Sequence, residues 1–528
     1  MSIEYFVEGS VKIHSEGEIT IKSKENIVNN AGVSVEQKGT EAGVTYSKAQ
    51  EINHNDTPVN TIEVSLNLFF DGTANNKSNT EARLANSKDY QEHSNKKDDS
   101  YTNDYSNVAK GFDAIDPSAE NQEAEYIEGI GTEDLKGDTL FPGQAIGTGE
   151  TGIKGKVTKG CIKGAAKLGK YKQRKIDILR VNVYGFSRGA AAARHFVHMA
   201  SNPPEISYSQ GSKVLQVFAP YDLPNSTLII NDEDGTKLPF ILQYGYFGAQ
   251  LVKKELSIKK IVFNFVGLYD TVASYGVVHK NDTEDLGLNS ISKAYFVLQL
   301  TADDEYRNNF RLTNINSTNL HGLQFTLPGV HSDIGGGYVE KKEETVILYR
   351  EEGSGEQCER FRKILIDEGW YKDNVEEVWI ERLSPHREAA DARFLLMGKR
   401  SPHNGYCKVP LNQMFHYSKQ FGVKYKEIFI EKNHKIEGEP LTTIYNQLLV
   451  YMNACNQKRN DYIEGKISGN YIQDIKKMSY LDFIKEEDLK KLRNGYLHWS
   501  VDYGGFVNGQ NVSGVLPASK RKRTIQDG

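Results

Sequence analysis

Residues 178–200 read ILRVNVYGFSRGAAAARHFVHMA, and the fold of the whole chain follows from how this stretch is read. Val181, Val183 and Tyr184 favour a strand. The run from Ala190 onward predicts a helix, because alanine loses no side-chain entropy there. Between them stands Gly185-Phe186-Ser187-Arg188-Gly189, a G-x-S-x-G sequence. A serine on such a strand-to-helix turn is exposed by strained backbone, and a side chain two positions to either side would collide with neighbouring backbone. Glycine at 185 and 189 removes that collision. Ala190, Ala191 and Ala192 let the helix lie close beneath the strand, and its N-terminus directs N–H groups at a developing oxyanion. The reading is a serine hydrolase with Ser187 as nucleophile.

Working outward, three more strong strands appear: IEVSLNLFFDGT at 62–73, KKIVFNFVGLYDTV at 259–272 and LHGLQFTLPGVHSDIGGGY at 320–338. Apolar strands alternating with helices predict a mainly parallel sheet covered on both faces, with ligands beyond the carboxyl ends of the strands. All four strands end in chemically capable residues: Asp71, Ser187, Asp270, and His331 with Asp333. A serine nucleophile needs a base, and the base an orienting acid, in the chain order Ser, acid, His. Asp270 and His331 satisfy that order. Asp333 with His498 (in NGYLHWS) is the alternative pair, and Asp333 also suits a role holding the His331 loop. The oxyanion hole is expected from the N–H of Arg188 and from Gly72-Thr73, with Asp71 bracing that loop.

The rest of the 528 residues sets boundaries. Residues 1–60 alternate short β-prone pieces with turns about every eight residues, the pattern of β-helix rungs, and a β-hairpin arm fits equally. Residues 61–340 hold the expected core, with 75–125 as a surface excursion. Residues 341–528 read as a helical cap or C-terminal region, from stretches such as LTTIYNQLLVYMNAC at 441–455. The aromatic piece LPFILQYGYFGAQL at 238–251 suits a lid or interfacial segment, or plain core. The fold class is therefore α/β, α/β-hydrolase-like, with a mainly parallel sheet, helical insertions and a short N-terminal β arm.

A net charge of -5 argues against nucleic acid as a partner, and Lys520-Arg521-Lys522-Arg523 reads as a solvated tail. The four cysteines are far apart, with no C-x-x-C, so a reducing cytoplasm is the expected place of folding. No apolar run is long enough to span a bilayer, and the first residues lack the features of a Sec signal. Gly147-Thr148-Gly149-Glu150-Thr151-Gly152 fits G-x-G-x-x-G but follows no predicted strand, so it reads as a loop near the site mouth. Gly335-Gly336-Gly337 suits close backbone approach. His195 and His198 share a helix face without a third ligand, so no metal and no cofactor are expected.

Six motifs carry a family resemblance: FFDGTANN at 69–76, YIEGIGT at 126–132, GQAIGTGETGIKG at 143–155, VYGFSRGAAAARHF at 183–196, FVGLYDTVAS at 265–274 and PGVHSDIGGGY at 328–338. Their order resembles that of the phospholipase effectors of bacterial type VI secretion systems, with PLNQMF at 410–415 as a looser match. The resemblance implies a lipase-like enzyme that cleaves acyl esters of membrane phospholipids, with Asp270 and His331 at the acid and base positions. It also implies a cognate immunity protein, a spike protein or adaptor, and delivery from the cytoplasm to a rival cell's periplasm or membrane. Residues 1–60 look similar to the β-helical tails of spike proteins. One departure stands out: where the family often has a helix with a histidine near an acidic–basic cluster, this chain reads VLQLTADDEYRNNF at 297–310. The main expectation is an antibacterial phospholipase of A1 or A2 type. The alternatives are an intracellular esterase or lipase on small acyl esters, and an inactive spike-associated binding protein.

Overall fold

The computed structural model describes residues 61–93, 98–139, 147–208, 213–274, 282–383, 393–501 and 521–528. The chain divides into residues 1–59 and 60–528, and the expected rung-like arm lies outside the described residues.

The centre is a six-stranded parallel sheet. Its strands are β1 (Thr61–Phe70), β2 (Gln122–Ile127), β3 (Lys175–Phe186), β7 (Ser257–Tyr269), β8 (Phe296–Ala302) and β10 (Gly322–Leu327), in the order β10-β8-β7-β3-β1-β2. A small antiparallel sheet, β4 (Ile206–Ser207), β5 (Val214–Val217) and β6 (Leu228–Asn231), stands between β3 and β7 in sequence. The pair β9 (Leu312–Thr313) and β14 (Ile525–Gln526) is parallel. Residues 341–528 are helix-rich and also contain an antiparallel sheet of β11 (Glu344–Glu352), β12 (Val378–Arg382) and β13 (Arg393–Arg400).

Both faces of the central sheet are covered. On one side Leu66, Leu68, Phe70, Val181 and Val183 pack with the helices Ile153–Lys167, Arg188–Met199 and Lys237–Lys253. On the other, Phe69, Tyr184 and Phe265 pack with the helices Lys408–Gln420 and Leu441–Ile463. Burial on both sides explains why the carboxyl halves of β1, β3 and β7 read as continuous apolar runs. The PLNQMF motif is core: Met414 lies so close to β7 that a Cβ on Gly267 would come within 2.5 Å of its sulfur.

Three asparagines interrupt those runs. Asn182 donates to Asn67 Oδ1 (3.0 Å), Asn264 donates to Asn182 Oδ1 (2.9 Å), and Asn67 donates to the Glu123 carbonyl (3.0 Å). Asn264 also donates to the Phe421 carbonyl. A register shift between β3 and β7 falls after Val181, so Asn264 is the extra residue on β7. The row therefore crosses β2, β1, β3 and β7 at one level, and a slip of any strand would leave buried amides unpaired.

Three expectations change, and one left open takes one of its two readings. The stretch 75–125 is not a surface excursion: it includes β2, and Asn75, Asn76, Asn79 and Asn107 are buried. Their polarity is absorbed by hydrogen bonds, as where Asn107 donates to the carbonyls of Ile334 and Cys407. VLQLTA at 297–302 is a fully buried strand rather than the helix that the resemblance implies. The aromatic piece 238–251, open between lid and core, packs as core: Ile241, Tyr246, Phe247, Ala249 and Leu251 are all buried in the helix Lys237–Lys253. Arg521 and Arg523 are drawn inward, Arg521 pairing with Glu368, so these two arginines are not solvated, while Lys522 is exposed and Lys520 lies outside the described residues. All four cysteines are free and buried, and no described helix is long and apolar enough to cross a membrane.

The asparagine row makes a stability prediction. Asn182→Leu leaves groups on Asn67 and Asn264 without their partner, at about 1–3 kcal/mol for each buried group left unpaired. Denaturant unfolding should show that loss, and a change below about 0.5 kcal/mol would mean that the row does not hold the register.

Candidate active site

The register of the sheet brings the carboxyl ends of its strands level. Phe70 pairs with Gly185, Phe186 with Tyr269, and Tyr269 with Leu300, so Asp71, Ser187 and Asp270 follow one another along the same edge. Ser187 has φ 59° and ψ -128°, a strained conformation for a residue with a side chain, and caps the helix Arg188–Met199. Two backbone bonds hold it there: its N–H donates to the Tyr269 carbonyl (3.1 Å), and its carbonyl accepts from Val272 (3.3 Å). The turn that carries Asp270 is thereby stitched to the elbow.

The flanking glycines are required on both sides. A Cβ on Gly185 would lie 2.4 Å from the Gly189 carbonyl, and one on Gly189 would lie 2.2 Å from that of Asp71. Ala190, Ala191, Ala192 and Ala193 are fully buried beneath the sheet. The glycine triplet at 335–337 serves a related end: a Cβ on Gly335 would fall 2.0 Å from the Phe186 ring, so only glycine lets the short helix His331–Gly335 press against the elbow.

That pressing brings a histidine to the elbow. The His331 ring packs on Phe186 at 4.6 Å and on Phe310 at 5.0 Å, and its Nδ1 lies 2.5 Å from Asp270 Oδ2. Asp270 is fully buried and takes further hydrogen bonds from the Ala302 N–H (2.9 Å) and from Arg523. Burial alone would push its carboxyl up, but the Arg523 charge and the His331 hydrogen bond outweigh it and hold the group well below the usual range. Burial lowers the His331 imidazole, and Asp270 offsets this only in part.

The alternative pair also exists in space. His498 Nδ1 lies 2.7 Å from Asp333 Oδ1, and the other Asp333 oxygen accepts the N–H groups of Val330 and His498. The His498 ring, however, stacks on Tyr338 at 3.8 Å, and its Nε2 is buried without a partner among the described residues. Asp333 thus ties the His331 helix to the C-terminal region, while Phe186, the residue before Ser187, carries His331.

Asp71 braces the first loop, accepting from Gly72 N–H (2.7 Å) and Tyr126 O–H (2.6 Å), and its burial raises it to about 6. The Gly72 N–H is therefore committed, which leaves Thr73 and the helix-terminal Arg188 as the candidate oxyanion donors. The Arg188 side chain donates from Nε to Thr73 Oγ1 (2.8 Å). It has no carboxylate beside it among the described residues, and burial alone draws it down to about 10. A Cβ on Gly147 would come 3.5 Å from its Nη1, so the glycine-rich loop does border the elbow.

His195 is buried with Nδ1 2.7 Å from the Leu286 carbonyl, and His198 bonds Ser290. Among the described residues no group of His, Cys, Asp and Glu could hold a metal. Sequence reasoning missed Arg523, whose position carries no local motif, and Glu305, whose carboxylate accepts the His331 N–H at 3.2 Å. The departure at 297–310 was the signal for Glu305, as it placed an acidic–basic cluster just past a strand end.

Helices on both faces of a parallel sheet, with a strained serine where a central strand turns into a helix, define an α/β-hydrolase-like protein. Residues 65–357, more than half of the chain, match the family described as "T6SS, Phospholipase effector Tle1-like, catalytic domain", and the chain belongs to that family of secreted lipid-hydrolysing effectors. A solved structure, described as "Structure of the Tle1 effector bound to the VgrG spike from the Type 6 secretion system", shares the fold. Its TM-score is 0.54 at 19% identity, over 93% of this chain and 99% of that one. An uncharacterized protein from Pseudomonas aeruginosa aligns at 16% identity and TM-score 0.35, over 79% of this chain and 53% of its own. No curated protein matches the sequence.

The contact between the helix His331–Gly335 and Phe186 is testable. Gly335→Ala should force the buried Phe186 ring aside and lower ester hydrolysis at least about tenfold, since small misplacements at a reacting centre cost that much or more. Unchanged turnover in a folded variant would show that the close approach has no bearing on the site.

Proposed function

We propose that this chain is a phospholipase of A1 or A2 type, hydrolysing acyl esters of membrane phospholipids with Ser187 as nucleophile, His331 as base and Asp270 as orienting acid. The observation that carries this reading is the His331–Asp270 pair, packed on the residue that precedes the strained serine. Ser187 Oγ attacks the acyl carbon while His331 Nε2 takes its proton, and the N–H groups of Arg188 and Thr73 receive the carbonyl oxygen. His331 then gives the proton to the departing lysophospholipid oxygen. Water, deprotonated by the same nitrogen, adds to the acyl-enzyme and releases the fatty acid and Ser187. Throughout, the His331 Nδ1–H donates to Asp270, which fixes the tautomer.

Arg188 supports a phosphate-bearing substrate. Its guanidinium follows the nucleophile directly, keeps its charge at neutral pH and is unneutralised by any described carboxylate. A phosphodiester close to the scissile ester would supply the missing anion, and arginine is suited to that geometry. Family membership supports delivery by a type VI secretion system into the periplasm or membrane of a target cell, with an immunity protein guarding the producer. The solved Tle1 effector is bound to a spike, and we extend a spike partner to this chain, with residues 1–60 as the docking segment.

Release of fatty acid from defined phospholipid vesicles tests the reading. Ser187→Ala should remove at least about three powers of ten of the rate with the fold intact, and Asp270→Asn and His331→Ala should fall severely. Asp333→Asn and His498→Ala should be milder; the reverse ranking would transfer the acid–base roles to that pair. Activity confined to monomeric short-chain esters would favour an esterase on small substrates.

Two further outcomes follow from charge. Only neutral His331 can accept the serine proton, and burial holds its pKa below 6.5. The rate should therefore fall on acidification with a midpoint below pH 6.5, and a midpoint above it would contradict the site described. Arg188→Gln keeps the backbone N–H but removes the charge. Phospholipid turnover should drop about tenfold, the scale of one charged hydrogen bond, with a neutral short-chain ester little changed. Equal losses on both substrates would argue against a phosphate contact.

A further inference from the structure

Residues 521–528 are remote in sequence from Ser187, Asp270 and His331, yet Arg523 among them reaches Asp270. β14 pairs with β9, where Leu312 donates to the Thr524 carbonyl and Asn314 to that of Gln526, both at 3.0 Å. β9 is itself joined to the acid's turn, because Thr313 N–H donates to the Thr271 carbonyl at 2.9 Å. Asp527 accepts from the side chains of Asn314 (2.7 Å) and Asn316 (2.9 Å). With Arg521 paired to Glu368 before it and these bonds after it, the segment is anchored on both sides of Arg523.

Arg523 is aimed at the acid. Its Nη1 lies 2.5 Å from Asp270 Oδ1 and its Nη2 2.8 Å from Oδ2, a fork on both oxygens. Nε donates to the Phe310 carbonyl (2.9 Å), and Nη1 also to that of Ala302 (3.2 Å). The arginine side chain is 6% exposed and that of Asp270 not at all. Oδ2 therefore receives Arg523 on one side and His331 on the other, which leaves the carboxylate no freedom to rotate.

We propose that Arg523 is a positioning residue of the active site, fixing and ionising Asp270 so that hydrolysis requires residues 521–528 to be docked. The proposal rests on the Ser187–His331–Asp270 reading. A buried carboxylate beside a neutral imidazole lacks a counter-charge, and an isolated ion is costly to bury. The other charges facing the pair do not supply one. Arg307 is taken by Glu305 through two bonds, at 2.9 and 2.8 Å. Glu305 faces the His331 backbone and Ser500, and Asp333 is paired with His498. Arg523 is the cation left for Asp270 among the described residues, and its fork orients the oxygen that must accept the His331 proton donor.

The test uses the full chain and a short-chain ester, so that membrane binding does not enter. Arg523→Gln should lower kcat about 30-fold or more with KM within about threefold. Removing a cation lets both His331 and Asp270 hold their protons to higher pH, so the acidic fall in kcat should move upward. Arg523→Lys, which keeps charge but not the fork, should recover part of the loss. In an Asp270→Asn background the Gln substitution should change kcat less than about threefold, because Arg523 acts through that carboxylate. An Arg523→Gln enzyme within threefold of the parent, or an equal loss in both backgrounds, would overturn the proposal. If the Gln variant does not fold, Arg523→Lys decides on the same cycle. Full activity of Asp270→Asn and His331→Ala alone would instead sink the acid–base reading beneath it.

Discussion

Parallel strands share no tight turns, so nothing local obliges their ends to stop at the same height. Here the level is set by side chains inside the sheet. Asn67, Asn182 and Asn264 bond to one another across β1, β3 and β7, and the row ends on the Glu123 carbonyl of β2. Each amide is buried, so a one-residue slip would turn an apolar side chain into the row and strand two polar ones. With that row fixed, the counts of residues to Asp71, Ser187 and Asp270 are fixed as well. Ser187 then reaches its strained conformation through backbone bonds to Tyr269 and Val272, rather than through contacts of its own side chain.

The second constraint is electrostatic. Asp270 has no exposure to water, so protein groups must replace its hydration. Ala302 N–H, His331 and Arg523 do so from three directions: the neighbouring strand, the histidine helix and the C-terminal segment. Asp71, equally buried, has only neutral donors among the described residues, in Ser106, Tyr126 and Gly72, and its carboxyl is pushed up to about 6. Two aspartates at the ends of the strands on either side of β3 thus acquire opposite tendencies. The one with a cation beside it stays ionised and suits an imidazole partner, and the one without braces a loop.

The parts legible in sequence were those with a local physical signature. β1, β3, β7 and β10 announce themselves as apolar runs ending in turn residues, and the elbow carries its glycines two positions from the serine. β2 was hidden because QEAEYI, at the sheet edge, alternates charge with apolar residues and follows a polar stretch. That stretch looked solvated because buried asparagines and surface asparagines are the same letter. Only the partners differ: Asn79 spends its amide on Ser100, Glu133 and Leu135. The segment 238–251 could not be decided from sequence, since an aromatic helix looks alike whether it meets lipid or the helix Ile153–Lys167.

The choice between His331 and His498 shows where sequence reasoning must stop. Each has an aspartate within hydrogen-bond reach in the fold, and Asp333 stands two residues from His331 in the chain. Spacing therefore cannot separate them. In the fold they differ in surroundings: the His331 ring rests on Phe186, where Gly335's missing Cβ makes room for it, and the His498 ring stacks on Tyr338. Arg523 is further still from local inference: it lies 253 residues from Asp270, inside a basic run whose neighbours would suit water. Its role follows only from the cost of the carboxylate it meets. A carboxylate buried this completely and kept ionised must have a charge partner somewhere in the chain. Tracing that requirement across the fold, rather than along the sequence, is what brings the C-terminal strand into the site.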